Sequence, residues 1–454
     1  MNIIIVGAGV LGMGLTEYLG HFNHEITLIE RDAGIAAAAE SRLDVMTVVG
    51  SGSNPSTLEQ AGIRSADMII AATPNDDVNL LACHFAMQYR VEKRIARVVS
   101  GGILDVPDID LGALGVTLAV ETEKEIVKAA QSLVELPGLT EAADFLGGNV
   151  FLRGYRVESD MPICGKNLFE VRKLAGDAEM LIVAIIRGGD SIIPSGAEML
   201  IVGDEFLTIM PRESYETYRA LINRPVRKIK KVIVSGDTAM AVNISEAMAE
   251  TTDRVLLLDA DREHAETAAA RLDKVEVLLG DATDTNFLQE VNVAGCDFYL
   301  AAGKDMEDNI MSCFLAKAEG TRRVIALRDD DRHFDRFLAL GIDHVISPRL
   351  VTMQRIIESI QIAPIDSLLK LKDAGLSIVR AIVSKRNSAV GKPLSKLYNI
   401  FKKGTIVGAV VRDKAIIIPK GGTEIVAGDE LIIICYEHNI PLINRIFKAD
   451  FNES

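Results

Sequence analysis

The residues with the clearest chemical potential stand at the start of the chain: Gly7-Ala8-Gly9-Val10-Leu11-Gly12, directly after the apolar run Ile3-Ile4-Ile5-Val6. A G-x-G-x-x-G spacing suits a pyrophosphate. The first glycine allows the turn out of a strand, the second lets a phosphate approach bare backbone, and the third lets the next helix pack against the strand. That helix, apolar at Leu11, Leu15, Tyr18 and Leu19, aims its positive N-terminal dipole at the same place. Glu30 closes the next apolar run about 20 residues on, where an adenosine ribose offers hydroxyls to a carboxylate. Glu30 favours NAD-type ligands over a 2′-phosphate, and adjacent Arg31 relaxes that exclusion. The plainer reading of Glu30 is a surface acid at a strand end.

Such a loop works only on a parallel sheet. Strands are expected over 3–6, 25–30, 44–49, 68–72, 95–99 and 115–120, with helices over 35–42, 56–61 and 78–89 between them. Six strands alternating with helices predict a doubly wound parallel sheet, whose ligands sit at the carboxyl ends of its strands. That edge gathers Gly7–Gly12, Glu30, Gly50–Ser53, Ala72, Thr73 and Arg97. Arg97 either reaches a phosphate or is a solvated edge-strand arginine. The amphipathic helix Thr122–Leu136, stopped by Pro137-Gly138, packs either on a partner or on its own domain.

From Phe145 to Pro211 the pattern favours strands and predicts a small α+β domain, in which Asp204 reads as a turn residue. A basic linker, Asn223–Lys231, then leads into a repeat of the whole arrangement. Val6 matches Val234, 228 residues on; Asn79 and Cys83 match Asn309 and Cys313, 230 on; Arg187, Pro194 and Gly203-Asp204 match Arg412, Pro419 and Gly428-Asp429, 225 on. A repeat of this length is a tandem duplication. At the 228 spacing, Ser235, Asp237 and Met240 replace Gly7, Gly9 and Gly12. Asp259 still ends the second copy's second strand, and Gly280-Asp281-Ala282-Thr283 ends its third. The second copy is therefore expected to keep the fold and to bind nucleotide weakly or not at all.

A net charge of −15 argues against a nucleic-acid partner. No run of about 18 apolar residues is present to span a membrane, and the first strand begins at Asn2, which leaves no signal peptide. Hydrophobic content of 48% with 5% aromatics and no Trp suits aliphatic α/β layers. The scattered Cys83, Cys164, Cys296, Cys313 and Cys435 suit reduced thiols in a cytoplasmic protein, and the seven histidines show no metal-binding spacing. An oxidoreductase needs an acid/base residue with a partner. The candidates His84, Lys124, His333 and His344 have none evident in sequence, so no catalytic residue is assigned.

With these residues in view, the chain resembles the regulatory subunits of Trk-type potassium uptake systems, which are built from tandem RCK domains. The resemblance covers about residues 1 to 450. It rests on Gly7–Gly12, Glu30, Ala71-Ala72-Thr73, Asp76-Asp77, Asn79-Leu80-Leu81-Ala82-Cys83 and Arg94-Ile95-Ala96-Arg97. In the second half it rests on Gly280–Thr283, Asp308–Cys313 and Val345–Pro348, and in the small domains on Gly165–Leu168 and Gly391–Leu394. It implies an RCK N-terminal Rossmann domain over 1–124, a C-terminal domain over 142–224, a degenerate Rossmann domain over 228–349 and a second C-terminal domain over 370–452. It further implies a non-enzymatic cytoplasmic homo-oligomeric ring beneath a Trk-type potassium-translocating membrane subunit, gated by NAD+/NADH, ATP or ADP. The nucleotide residues it implies are Gly7, Ala8, Gly9, Val10, Leu11, Gly12, Glu30, Ala72, Thr73 and Arg97. It further implies Glu123, near where some relatives place a carboxylate close to the phosphates, and Asp259 as the second copy's acid. Two departures stand out. Val10-Leu11 replaces a phosphate-binding arginine of some ATP-gated relatives, and Thr122 stands where a proline is usual, although Pro348 keeps it in the second copy.

Overall fold

Ile3, Ile4, Ile5 and Val6 are all buried, as a strand covered by helices on both faces must be. In this computed structural model they belong to β1 (Asn2–Val6). The structure describes residues 1–454 except 21–23, 44, 100–105, 107–108, 136–138, 146–147, 224–228, 329–336, 338–340, 361–364, 372–374, 402–403, 414 and 449–454. The expected helix stop at Pro137-Gly138, part of the basic linker and His333 lie outside the described residues.

β1 is flanked by β2 (Glu25–Glu30), β3 (Met46–Val49), β4 (Met68–Ala71), β5 (Lys93–Val98) and β6 (Leu118–Glu121) in a parallel sheet of order β3-β2-β1-β4-β5-β6. The order reverses between β1 and β4, which opens a crevice at their carboxyl ends. Helices α1 (Val10–Gly20), α2 (Ala33–Leu43), α3 (Pro55–Gln60) and α4 (Asp76–Gln88) connect the strands, and α5 (Thr122–Glu135) leaves the last one.

A five-stranded antiparallel sheet follows, built from β7 (Leu139–Phe145), β8 (Val150–Arg156), β9 (Leu181–Arg187), β10 (Asp190–Ile192) and β11 (Glu205–Pro211), with helices α6 (Leu168–Ala175) and α7 (Tyr215–Leu221). The second half repeats both parts. β12 (Lys231–Ser235), β13 (Arg254–Asp259), β14 (Val275–Leu279), β15 (Phe298–Ala301), β16 (Arg323–Leu327) and β17 (His344–Ile346) form a parallel sheet of order β14-β13-β12-β15-β16-β17. Its helices are α8 (Ala239–Met248), α9 (Arg262–Arg271), α10 (Thr285–Glu290), α11 (Met306–Ala318) and α12 (Pro348–Ser359). β18 (Ile365–Leu371), β19 (Leu376–Ile382), β20 (Thr405–Arg412), β21 (Ala415–Ile417) and β22 (Glu430–Tyr436) make the second antiparallel sheet, with α13 (Leu394–Phe401) and α14 (Ile440–Lys448).

The chain forms two compact units, each joining like with like. One takes the two parallel lobes (1–135 and 228–360) and the other the two small domains (136–227 and 361–454). In the first unit the lobes exchange their last helices. Ile126, Ala130 and Val134, one stripe of α5, are buried in the core of the second lobe with Val232, Val234, Ile244 and Met248. In return α12 packs on α1 and β6 of the first lobe and against α5 itself. Gln131 Nε2 donates to the Ala247 carbonyl at 3.2 Å across this seam. The partner of the amphipathic helix is thus the other half of the same chain. Ile126→Ala is expected to cost about 2–4 kcal/mol, and the loss should appear as faster amide exchange in β12 and β15 of the second lobe rather than in β1.

In the second unit the two small sheets share an aliphatic core of Leu152, Val183, Ile209, Ile378, Ile432 and Ile434. Asp204 does more than turn the chain. It is 1% exposed and accepts from Arg187 Nε and Nη2, both at 2.8 Å, and from the Ile201 N–H at 2.9 Å. Asp429 repeats this with Arg412 at 2.7 and 2.8 Å and the Val426 N–H at 2.7 Å. The acid sits in a turn because it pins that turn to a neighbouring strand.

Candidate functional site

The glycine loop joins β1 to α1 at the switch point. Gly7 has φ 102° and donates its N–H to the Ile29 carbonyl at 2.8 Å. A Cβ on Gly12 would stand 1.8 Å from the Gly7 carbonyl oxygen, so the close approach of helix to turn needs a glycine there. Gly9 is different: a Cβ on it would meet nothing within 4 Å. It precedes the first residue of α1, supplies no side-chain oxygen to the first-turn N–H groups and leaves room for a small anion beside them. That is the geometry of an anion cradle.

Glu30 ends β2 beside this cradle. Its Oε2 accepts the Ala8 N–H at 2.7 Å and its Oε1 accepts the Asp32 N–H at 3.0 Å. Ala8 and Leu11 are buried, while Val10 is 64% exposed at the rim. The third strand supports the loop: the Gly50 N–H donates to the Glu30 carbonyl at 2.8 Å. From the other side, the Ala72 N–H donates to the Val6 carbonyl at 2.9 Å, and Thr73 lies against Gly7. Gly7–Gly12, Glu30, Ala72 and Thr73 therefore share one edge.

Arg97 is the penultimate residue of β5, and its Nε donates to the Thr122 hydroxyl at 3.2 Å. Glu123, one residue further on, accepts from Asn243 Nδ2 of the second lobe at 2.9 Å, so its carboxylate is engaged across the lobe seam. Reading single residues misses Asn79. It is fully buried, takes the Thr73 N–H and hydroxyl on Oδ1 at 3.0 and 2.7 Å, and donates Nδ2 to the carbonyls of Thr73 and Arg97, both at 2.9 Å. One amide thus locks the ends of β4 and β5 together. The signal was its exact twin in the repeat: Asn309 binds the Gly303 N–H and the carbonyls of Gly303 and Leu327 in the same way.

The second lobe shifts the expected alignment by one residue. β12 pairs through Ser235 where β1 pairs through Val6, and the Gly236 N–H bonds the Leu258 carbonyl as Gly7 does that of Ile29. At this corrected spacing of 229 (Val6 to Ser235), Gly7 matches Gly236, Ala8 matches Asp237, Gly9 matches Thr238 and Gly12 matches Ala241. Asp237 therefore does not replace the phosphate-facing glycine; Thr238 does. The Thr238 hydroxyl accepts the Ala241 N–H at 3.1 Å, which caps α8 with the chain's own oxygen. Asp237 pairs with Lys304 Nζ at 2.9 Å. Burial raises the Asp237 pKa, but the Lys304 bonds outweigh it and hold the carboxyl below the usual range. Asp259, the counterpart of Glu30, is fully buried and spends its oxygens on His264 Nδ1 and the Asp261 N–H. Leu327 stands in place of Arg97. The capped start of α8 and the loss of Arg97's counterpart thus remove from the second lobe two features that the first offers an anion.

The acid/base candidates are engaged elsewhere. Lys124 pairs with Glu121 at 2.6 Å on the helix surface. His84 lies edge-on to Phe85 in α4. His344 is pushed down to about 4 by burial, with Arg323 adding to it, and is neutral at pH 7. Burial drives the Cys83 thiol up to about 12, which leaves it unreactive. Among the described residues no group of three His, Cys, Asp or Glu could hold a metal, and no helix is long and apolar enough to cross a membrane.

Comparison with known proteins places the chain. The TrkA-N domain model matches residues 3–105 and 232–348, and the TrkA-C domain model matches 378–448. The Trk system potassium uptake protein TrkA of Halomonas elongata is 30% identical over 99% of this chain and 99% of its own length. The TrkA homolog of Archaeoglobus fulgidus is also 30% identical, over 99% of this chain and all of its own. Among solved structures, the GsuK RCK domain superposes with a TM-score of 0.60 at 19% identity, covering 99% of this chain and 95% of that one. The GsuK channel bound to NAD gives 0.61 at 18%, covering 99% and 79%. These two likenesses show the fold, an RCK-type pairing of Rossmann-like lobes and small domains. Matched end to end at 30% identity by relatives on both sides of the prokaryotic divide, and by the N-domain model twice, the chain belongs to the TrkA family.

Proposed function

We propose that this chain is the cytoplasmic, nucleotide-sensing regulatory subunit of a Trk-type potassium uptake system, and that NAD+ or NADH binds its first lobe. The observation that carries the nucleotide reading is the junction of Glu30 with the open N-terminus of α1. A ribose-hydroxyl acceptor held 2.7 Å from the Ala8 N–H stands beside a helix end whose preceding residue, Gly9, leaves room for phosphate. The residues proposed to line the site are Gly7 to Gly12, Glu30, Ala72, Thr73 and Arg97. ATP or ADP could use the same cradle, but the exposed Val10 beside it offers a triphosphate no charge. The potassium reading is supported by the names of the full-length relatives.

In this reading the chain is not an enzyme. It acts as one member of a homo-oligomeric ring on a potassium-translocating membrane subunit, and its four domains run over about 1–124, 142–224, 228–349 and 370–452. A regulator needs only unequal affinity for two conformations: a ~100-fold preference is about 2.7 kcal/mol per site, and sites in a ring add. Calorimetric titration of the full chain is expected to find one NADH site per chain, and expression should restore growth at low potassium in an uptake-deficient strain that carries the membrane subunit. Two equal sites per chain would overturn the closure of the second lobe. Failure to restore uptake, with binding intact, would leave a soluble nucleotide sensor.

A further inference from the structure

We propose that Thr122 and Thr352 form the contact through which nucleotide occupancy of the first lobe is read by the second. The proposal rests on the first-lobe reading given above. Thr122 opens α5, and Thr352 lies one turn into α12, the helix that Pro348 opens as Thr122 opens α5. Both are buried, and their hydroxyls meet at 3.3 Å.

A continuous line of hydrogen bonds reaches this contact from the glycine loop. Thr73, packed on Gly7, bonds Asn79; Asn79 Nδ2 donates to the Arg97 carbonyl; Arg97 Nε donates to the Thr122 hydroxyl; and Thr122 meets Thr352. Thr352 also faces the Pro348 carbonyl, in the first turn of its own helix, at 2.7 Å. The line is wired on one side only, because the second copy has Leu327 where the first has Arg97.

The threonine pair has two discrete states. Thr352 carries a single hydroxyl proton for two acceptors, the Pro348 carbonyl and Thr122. It donates either to Thr122 or back to its own helix, and in the second case Thr122 donates to Thr352. An N–H from Arg97 on the Thr122 oxygen polarises that hydroxyl and favours Thr122 as donor. An anionic ligand at the strand ends attracts the Arg97 guanidinium, changes this bond and so selects between the two states. Since α12 lies on α1 while α5 lies in the second lobe, the choice bears on the seam that joins them.

The test is amide hydrogen exchange on the full chain with and without NADH, with affinity measured separately by calorimetry. In the parent, NADH is expected to change exchange in the first turn of α12 by about threefold or more. Thr352→Val should bind NADH within about threefold of the parent and lose that α12 response, while Thr352→Ser, which keeps the hydroxyl, should retain it. A Thr352→Val chain with the full response overturns the proposal, as does a parent whose NADH response stays within the loop and α1. If Thr352→Val does not fold, loss of the α12 response in Thr352→Ser overturns it instead. No calorimetric binding to the parent would remove the first-lobe reading itself, an outcome distinct from binding without coupling.

Discussion

A Gly9→Asp chain is expected to lose NADH binding by at least ~100-fold while unfolding at the parent's temperature or slightly above it. The stability half of this expectation follows from the space around Gly9. A Cβ there touches nothing within 4 Å, and no left-handed backbone angle is required. The position directly precedes α1, where an aspartate caps the free N–H groups and improves on glycine by a few tenths of a kcal/mol. The binding half follows from the same fact, since the carboxylate occupies the N–H groups a phosphate needs and repels it at short range. Gly9→Thr, which copies Thr238 of the second lobe, should act in the same direction with smaller loss, because the hydroxyl caps without adding charge. Calorimetry and thermal unfolding on both variants decide it. A Gly9→Asp chain that binds NADH like the parent would place the nucleotide elsewhere, and one that fails to fold would contradict the open space at Gly9.

The parts of the fold that depend on local periodicity were legible in the sequence. Apolar runs such as Ile3–Val6, ending at glycines, announce buried parallel strands whatever surrounds them, and both lobes carry them. The repeat was legible for the same reason, since each copy must satisfy the same pattern. Its alignment at the loop was not. Matching Val6 to Val234 aligns like residues, but strand pairing matches Val6 to Ser235, and one residue changes which side chain faces the phosphate. Hydrophobic matching is blind to a one-residue slip between two valines; ladder hydrogen bonds are not. The destination of α5 was also hidden, because an amphipathic stripe declares that it will be buried but not against what. The roles of Asn79 and Asp204 were hidden as well, because a polar residue in sequence looks solvated until the carbonyls and guanidinium that satisfy it are in place.

The two copies also separate what the fold needs from what the site needs. Asn79 and Asn309 make the same backbone bonds, and Asp204 and Asp429 match likewise, whereas the cradle, Glu30 and Arg97 all differ from their counterparts. Residues kept in a lobe whose cradle is closed hold structure; residues kept only in the open lobe hold ligand. This division makes Glu123 the least secure member of the expected site, since its carboxylate is spent on Asn243 in the seam.

By the same reasoning Asp204→Ala is expected to cost about 2–4 kcal/mol of stability, a fall in Tm of roughly 5–15 °C for the unit that contains it, with NADH affinity unchanged. The variant loses two charge-assisted bonds to Arg187 and orphans the Ile201 N–H. Arg187 is one-third exposed and keeps Glu198 and the Met199 carbonyl, which limits the loss. The pH dependence identifies the cause. Burial raises the Asp204 pKa, but the bonds from Arg187 and Ile201 more than offset it and leave the folded value below that of an ordinary aspartate. A folded pKa lower than the unfolded one gives stability that is full above the unfolded value, about 3.9, and fades as pH falls through the folded one. The gap between parent and variant should therefore be constant from pH 7 down to about 5 and narrow below about 4. Asp429→Ala should cost a similar amount, because Asp429 has matching donors at 2.7–2.8 Å. If Asp204→Ala instead weakened NADH binding with Tm unchanged, the ion pair would belong to a ligand site, and its presence in both small domains would need a ligand in each.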